Sequence, residues 1–249
     1  MDEKQTIQEV QYEFPYHHLC SLGKDFSLHK YLYWGCEYAS YLEYVIDKIR
    51  EHKNGNSILD IGCGDGKLLN ELSRIFSTDR IIGIDYSPRA AAIARYFNPT
   101  LDIHAGDVAN QRVSNVADVV TLVEVLEHIP IDEVFAFVKG IRNHIKKDGV
   151  LILTVPSTNV PTNKKHFQHF DRQTIEEALS PFFTIHTCTY LNKVGFLSRL
   201  IQIMLCNRYF LLNHAALKQI LYRIYQRHCT VASSQEGARL CVVAKAQVC

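Results

Sequence analysis

A chain of 249 residues with 47% hydrophobic and 21% charged residues has ample material for a core, which excludes disorder as its governing property. Lys and Arg number 27 against 26 Asp and Glu, a net charge of +1, which argues against a protein held on nucleic acid mainly by bulk charge. The eight cysteines form no Cys-x-x-Cys pair, so neither a zinc site nor a dense disulfide framework is indicated.

Met1 to Val10 is polar and charged, without the apolar core of a signal peptide, and a reduced cytoplasmic protein is the expectation. Aromatic residues crowd the lead that follows, in Tyr12-Glu13-Phe14-Pro15-Tyr16-His17-His18 and Tyr31-Leu32-Tyr33-Trp34. Phe14, Tyr16, Tyr33 and Trp34 suit packing on a sheet; with His17 and His18 they also suit a lid that keeps water from a site. Tyr41, Leu42, Val45, Ile46 and Ile49 recur at helical spacing, and Asn54-Gly55 is a stop signal for that helix.

Short apolar runs then alternate with helical stretches. Strands are predicted at Ser57–Ile61, Arg80–Ile84, Leu101–His104, Asp118–Val123 and Val150–Val155. Helices are predicted at Lys67–Phe76, Pro88–Phe97 and Asp132–Ile145. This alternation means parallel βαβ units, hence an α/β fold with an open sheet covered on both faces. Ligands of such sheets bind at the carboxyl ends of the strands.

After a loop rich in Pro, Thr, Asn and His come a helix at Arg172–Leu179, a strand at Phe183–Tyr190 and a closing strand at Ala238–Ala246. The layout expected is an N-terminal lid and helix (1–55), a core (56–190), a helical insertion (191–236) and the last core strand (237–249). The apolar run Val194 to Leu212 is a poor membrane span, because Arg199, Gln202, Asn207 and Arg208 interrupt it. The second half of the insertion is amphipathic and basic, with Leu217, Ile220, Leu221, Ile224 and Tyr225 on one face. The insertion reads as a substrate cap. Packing within the cap or a dimer interface accounts for its apolar surface, and a peripheral membrane contact through 191–228 is the other expectation.

The sharpest motif is Ile58-Leu59-Asp60-Ile61-Gly62-Cys63-Gly64-Asp65-Gly66, a strand running into a glycine turn and then a helix. Its spacing is not that of dinucleotide-binding turns, and Asp60 and Asp65 would repel a pyrophosphate but not a cation. The second strand ends in Asp85, whose carboxylate can accept from vicinal ribose hydroxyls. The third ends in Asp107-Val108, suited to an adenine amine and its ring. Each aspartate alone reads as a helix N-cap, and the glycine turn alone as a tight connection. Their succession on three strand ends is what carries the signal.

From Ser57 to Val155 this set resembles the class I S-adenosylmethionine-dependent methyltransferases, in the group with a DxGCGxG loop. The resemblance implies a Rossmann-like, seven-stranded, mostly parallel sheet whose last strand is antiparallel. It implies that Asp60, Gly62, Cys63 and Gly64 cradle the methionine part of S-adenosylmethionine, that Asp85 and Tyr86 hold the ribose, and that Asp107 and Val108 hold the adenine.

The fourth strand ends in Val123-Glu124-Val125-Leu126-Glu127-His128-Ile129-Pro130, and Lys165-His166-Phe167-Gln168-His169-Phe170 follows the fifth. Glu124 falls beside the cofactor, and Glu127, His128, His166 and His169 are the candidate catalytic residues. Singly, His128 reads as a packing or capping histidine, and His166 and His169 as a polar loop. One functional reading makes a histidine the general base for a hydroxyl nucleophile. These patterns resemble small-molecule, quinone and glycan methyltransferases, with a small-molecule, glycan or lipid-linked acceptor implied. The other reading gathers Glu124, Glu127, His128 and His169 around a divalent metal, similar to the small-RNA 3′-terminal 2′-O-methyltransferases. The chain lacks an evident basic RNA-binding segment, which sets that second resemblance behind the first. A protein that binds the cofactor without chemistry, as a regulatory partner, is a third reading.

Overall fold

The computed structural model describes residues 3–12, 15–19, 35–109 and 116–247. In chain order these form α1 (Glu3–Gln11), a 3-10 turn (Tyr16–Leu19), α2 (Gly35–His52), β1 (Ser57–Ile61), α3 (Lys67–Ile75), β2 (Arg80–Asp85) and α4 (Pro88–Phe97). They continue with β3 (Asp102–Ala105), β4 (Ala117–Val123), α5 (Val134–Asn143), β5 (Ile145–Pro156), α6 (Arg172–Leu179) and β6 (Phe183–Lys193). Last come α7 (Phe196–Leu205), α8 (Ala215–Cys229), β7 (Val231–Ala232) and β8 (Gly237–Ala246).

One sheet runs in the order β3-β2-β1-β4-β5-β8-β6-β7. β1 to β5 are parallel where they pair, and β8 is antiparallel to both β5 and β6. Among the described residues the sheet therefore has eight strands, one more than the seven expected. The addition is β7, two residues that pair Ala232 with Tyr190 and Val231 with Leu191 on the β6 edge as the chain leaves α8.

Strand residues alternate strictly between two apolar layers, as a sheet buried on both faces requires. Ile58, Ile81, Val119 and Ile152 pack with α2, α3, α4, α7 and α8. Their chain neighbours Leu59, Ile82, Val120 and Leu151 pack with α5 and α6 on the opposite side. Each such side chain contributes roughly 1.5–3 kcal/mol on burial, so a slip of one residue in register would be heavily penalised.

Element ends follow local chemistry. Ser87 caps α4 by accepting from Ala90 N at 3.0 Å, with Pro88 at the first helical position. Asp171 and Thr174 form a reciprocal capping box on α6. The boundary between α5 and β5 differs from expectation: α5 stops at Asn143 and β5 begins at Ile145, because Ala117 pairs with Ile145 ahead of a bulge. The insertion is helical, as expected, in α7 and α8. Among the described residues no helix is long and apolar enough to cross a membrane.

Candidate active site

The strand order reverses at β1, whose neighbours are β2 on one side and β4 on the other. Crevices open at such switch points, outside the carboxyl ends of the strands. Here a cavity of about 860 Å³ opens, lined by the glycine turn, the tips of β2 and β4, and residues of α1 and α2.

The glycine turn owes its shape to left-handed backbone. Gly62, Gly64 and Gly66 have φ of 72°, 56° and 81°, conformations that cost side-chain-bearing residues energy. The turn is pinned to the neighbouring strand: Gly62 N donates to the Ile84 carbonyl at 2.7 Å, and Gly64 N donates to Asp85 Oδ2 at 2.7 Å. A Cβ on Gly62 would run into Val125, and one on Gly64 would lie 2.9 Å from the Tyr12 hydroxyl. Cys63 also lines the cavity. Its thiol is buried against Gly83 and Leu69, where burial raises its pKa well above the ordinary value.

Two carboxylates flank the turn. Asp60, 2% exposed, accepts from Thr121 Oγ1 at 2.7 Å, and burial pushes its pKa up to about 7. Asp85 accepts from the backbone N–H of Ser87 and Gly64, yet burial still pushes it up to about 6. Asp107 is half-buried at the tip of β3 and accepts from Ala109 N at 2.8 Å, with buried Val108 beside it. Tyr86 stands on the cavity rim, 59% exposed. The three aspartates thus line one cavity, with Asp60 and Asp85 short of the countercharge a cationic ligand would bring. Ionisation of these two groups favours a sulfonium, so affinity for S-adenosylmethionine should rise at least about tenfold between pH 5 and pH 8. Calorimetry across that range, with S-adenosylhomocysteine, which lacks the sulfonium charge, showing a shallower slope, checks this.

Across the cavity, Glu127 is 1% exposed and neither carboxylate oxygen meets a hydrogen-bond donor. Burial, reinforced by the charge of Glu124, raises its pKa well above the ordinary value. His128 Nδ1 donates to the Lys165 carbonyl at 3.1 Å, which leaves Nε2 as the lone-pair nitrogen, 3.8 Å from Glu127 Oε1. His169 Nδ1 donates to the Val160 carbonyl at 3.0 Å. His169 Nε2 accepts from His166 Nδ1 at 2.9 Å, which leaves Nε2 as the lone-pair nitrogen of His166. Burial, together with the cations Lys165 and Lys4, holds His128 down at about 4. Burial and the neighbouring His128 hold His166 at about 3. One donor atom from each of Glu127, His128 and His166 lies within 4.8 Å of the others.

The structure thus brings Glu127, His128 and His166 together, and places His169 behind His166 rather than among them. Glu124, at a strained φ of 55°, turns the other way, 3.5 Å from Arg239 Nε. Arg239 also donates to Glu37 Oε1 and Asn192 Oδ1, each at 2.7 Å, and lies over the Tyr41 ring. Burial works against its charge, yet Glu124 and Glu37 hold the guanidinium above its ordinary pKa.

Among the described N-terminal residues, those of α1, which the sequence did not suggest as a helix, and of the turn after it contribute to the cavity lining. Lys4, Glu9 and Tyr12 line the cavity, and Lys4 Nζ donates to the His166 carbonyl at 2.6 Å. The 3-10 turn is tied down by Asp65, whose carboxylate lies 3.1 Å from His17 Nδ1 and whose carbonyl is 2.8 Å from His18 Nε2. His18 stacks on Phe97. Phe14, Tyr33, Trp34 and the side chain of Tyr16 lie outside the described residues. Glu37 and Arg239 escaped sequence reasoning because nothing local marks them, and Tyr41 was read only as part of a helical apolar face; Arg239 and Glu37 meet across 202 positions.

Among curated relatives, the chain is 31% identical over 125 residues to a mitochondrial ubiquinone biosynthesis O-methyltransferase of Schizosaccharomyces pombe, covering 47% of this chain and 44% of that protein. It is 31% identical over 115 residues to a ubiquinone biosynthesis O-methyltransferase of Paraburkholderia xenovorans, covering 44% and 48%. The chain thus spans about half the length of these curated relatives. Its fold is that of the N-methyltransferase NodS of Bradyrhizobium japonicum in complex with S-adenosyl-L-homocysteine, with a TM-score of 0.56 and 13% identity over 84% of this chain and 87% of that one. An S-adenosylmethionine-dependent methyltransferase from Clostridium acetobutylicum shares it too, with a TM-score of 0.56 and 14% identity over 85% and 92%. The methyltransferase domain model matches residues 28–197, more than half of the chain and the whole of the glycine turn and strand-tip set, so the chain belongs to the methyltransferase domain family, with the S-adenosylmethionine-dependent fold.

Proposed function

We propose that the chain transfers the methyl group of S-adenosylmethionine to a hydroxyl oxygen of a small aromatic acceptor. The observation that carries this reading is Glu127: a buried carboxylate with no hydrogen-bond donor, facing two imidazole lone pairs on the far side of the cavity from the glycine turn. Such a carboxylate suits a hydroxyl proton. The relatives named ubiquinone biosynthesis O-methyltransferases act in the same direction, and Tyr38, Tyr41 and Phe137 give the cavity aromatic walls.

Asp60, Gly62, Gly64, Asp85, Asp107 and Val108 would hold the cofactor, and the glycine cradle that a Cβ would fill fits it. When bound, S-adenosylmethionine supplies an electrophilic methyl on a sulfonium. An acceptor oxygen would take that methyl, and the bonding electron pair would leave with the sulfur. The hydroxyl proton passes to the Glu127–His128 side. Alignment in such a site can supply up to about 7–11 kcal/mol, and α1 with the aromatic walls keeps water away.

A second reading is favoured by the low basicity of His128 and His166. Rings held at about 4 and about 3 are weak proton acceptors at neutral pH, but remain neutral with open Nε2 atoms. Glu127, His128 and His166 would then hold a divalent cation with oxygen and nitrogen ligands, a set that suits Mn or Mg and gives the buried carboxylate its missing partner. His169 would orient His166 as an outer partner.

Radiolabelled methyl transfer to a panel of catechols, phenols and amines tests the proposal, with and without chelator. Transfer to hydroxyl acceptors is expected. Transfer to amines alone would overturn the oxygen assignment, and cofactor binding without any transfer would favour a regulatory role. Activity lost on chelation and restored by Mn or Mg selects the second reading.

A further inference from the structure

The insertion carries a surface that the active site does not use. On α7, Phe196, Leu200 and Ile203 point outward at 81%, 40% and 57% exposure, while Ile201 and Leu205 on the opposite side are buried. Tyr209 and Phe210 in the connection are exposed as well, at 79% and 50%, as is Ile220 on α8, at 52%. An exposed apolar run of this extent marks a contact surface. Its charge is equally one-sided. Residues 191–236 hold Lys193, Arg199, Arg208, Lys218, Arg223 and Arg227 against Glu236 alone, in a chain whose net charge is only +1. Glu236 is itself engaged by Lys193 at 3.0 Å.

We propose that α7, α8 and their connection dock on an anionic phospholipid bilayer, with the helices lying in the interfacial plane. The pairing of exposed aromatic and aliphatic side chains with flanking cations fits such a surface: the apolar groups enter the acyl boundary and the cations meet the headgroups. A second copy of the chain fits it poorly, because a twofold contact would press this cationic surface against itself. A spanning arrangement does not fit at all, since no described helix is long and apolar enough.

Placement adds a reason for docking there. A second cavity of about 340 Å³ is bounded by Ser198, Arg199 and Gln202 of α7 at one end and reaches His166 and Arg239 at the other. A docked α7 would set an acceptor drawn from the bilayer beside the candidate site. That consequence rests on the function proposed above; the docking does not.

The test is sedimentation of the full chain with vesicles of phosphatidylcholine containing about one-third phosphatidylserine, against pure phosphatidylcholine. Partition should be at least tenfold stronger to the anionic vesicles and should fall as salt is raised. The double variant Phe196→Asp, Ile203→Asp should weaken it tenfold or more, and Arg223→Glu with Arg227→Glu comparably, at roughly fivefold per cation. Calorimetric affinity for S-adenosylhomocysteine should stay unchanged in all of them. Equal partition to both vesicle types, or wild-type partition by the Asp variant, would overturn the docking. So would a dimer in ultracentrifugation that the Asp variant dissociates while vesicles leave the wild type in solution. Vesicle binding without any cofactor heat would uphold the docking and sink the enzymatic reading instead.

Discussion

Glu127→Gln will lower methyl transfer on the order of 10²-fold or more while leaving S-adenosylhomocysteine affinity within about twofold. The amide has nearly the shape of the carboxylate, so packing around the 1%-exposed side chain is kept. What disappears is the ability to take a proton or to ligate a cation as an anion. The unpartnered state of both oxygens makes the experiment clean, because no hydrogen-bonded neighbour is orphaned by the change. Burial and the charge of Glu124 raise the pKa of Glu127, so an uncharged amide relieves a desolvation cost while removing a charge that the buried Lys165 feels, and melting curves should accompany the rate measurements. Single-turnover rates with the cofactor prebound check the effect on the chemical step. A variant with wild-type turnover would remove Glu127 from the chemistry. Titration with Mn separates the two readings: if the cluster holds a cation, wild-type affinity for it should fall steeply in the variant as well.

Gly64→Val should abolish detectable cofactor binding while leaving the sheet folded. Valine at a φ of 56° costs about 1–3 kcal/mol of backbone strain. Its Cβ also meets the Tyr12 hydroxyl at 2.9 Å, so α1 must lift or the turn must flatten. Flattening breaks the 2.7 Å bond from Gly64 N to Asp85, and with it the aim of the carboxylate expected to take the ribose. The loss lies at the cavity, away from the two apolar layers, so circular dichroism should be near wild type. A melting temperature lower by a few degrees is expected, at about 2–4 °C per kcal/mol for a chain of this size. Unchanged calorimetric affinity would sink the assignment of the turn as the cofactor cradle.

The parts of this protein legible in its sequence share a physical cause. β1, β2, β4 and β5 are buried on both faces, so each shows as a short continuous apolar run, and the glycine turn follows the first of them directly. Asp60, Asp85 and Asp107 could be placed in one cavity because parallel strands bring their carboxyl ends to the same side, whatever the connections do. The histidine loop was legible as chemistry but not as geometry. The residues alone do not say that Phe167 N donates to the Glu127 carbonyl at 2.8 Å, which swings His166 to His128 and leaves His169 behind it.

Other elements are held only by distant partners. α1 is short and polar, with nothing in its own pattern to declare it, and it is fixed by Tyr12 over the glycine turn and by Lys4 on the His166 carbonyl, 162 positions away. β7 is two residues long and exists because β6 offers an open edge beside the chain leaving α8. Arg239 gains its place from Glu37 and Tyr41 of α2, from Glu124 at the tip of β4 and from Asn192 of β6. Composition and period thus determined the main strands of the sheet, its two apolar layers and the glycine-turn side of the cavity, because local hydrophobic patterning and strand direction suffice for those. The place of α1 on the cavity, the imidazole pair beside Glu127 and the arginine between the two cavities were decided by tertiary structure, because each depends on a polar contact whose partner lies far along the chain.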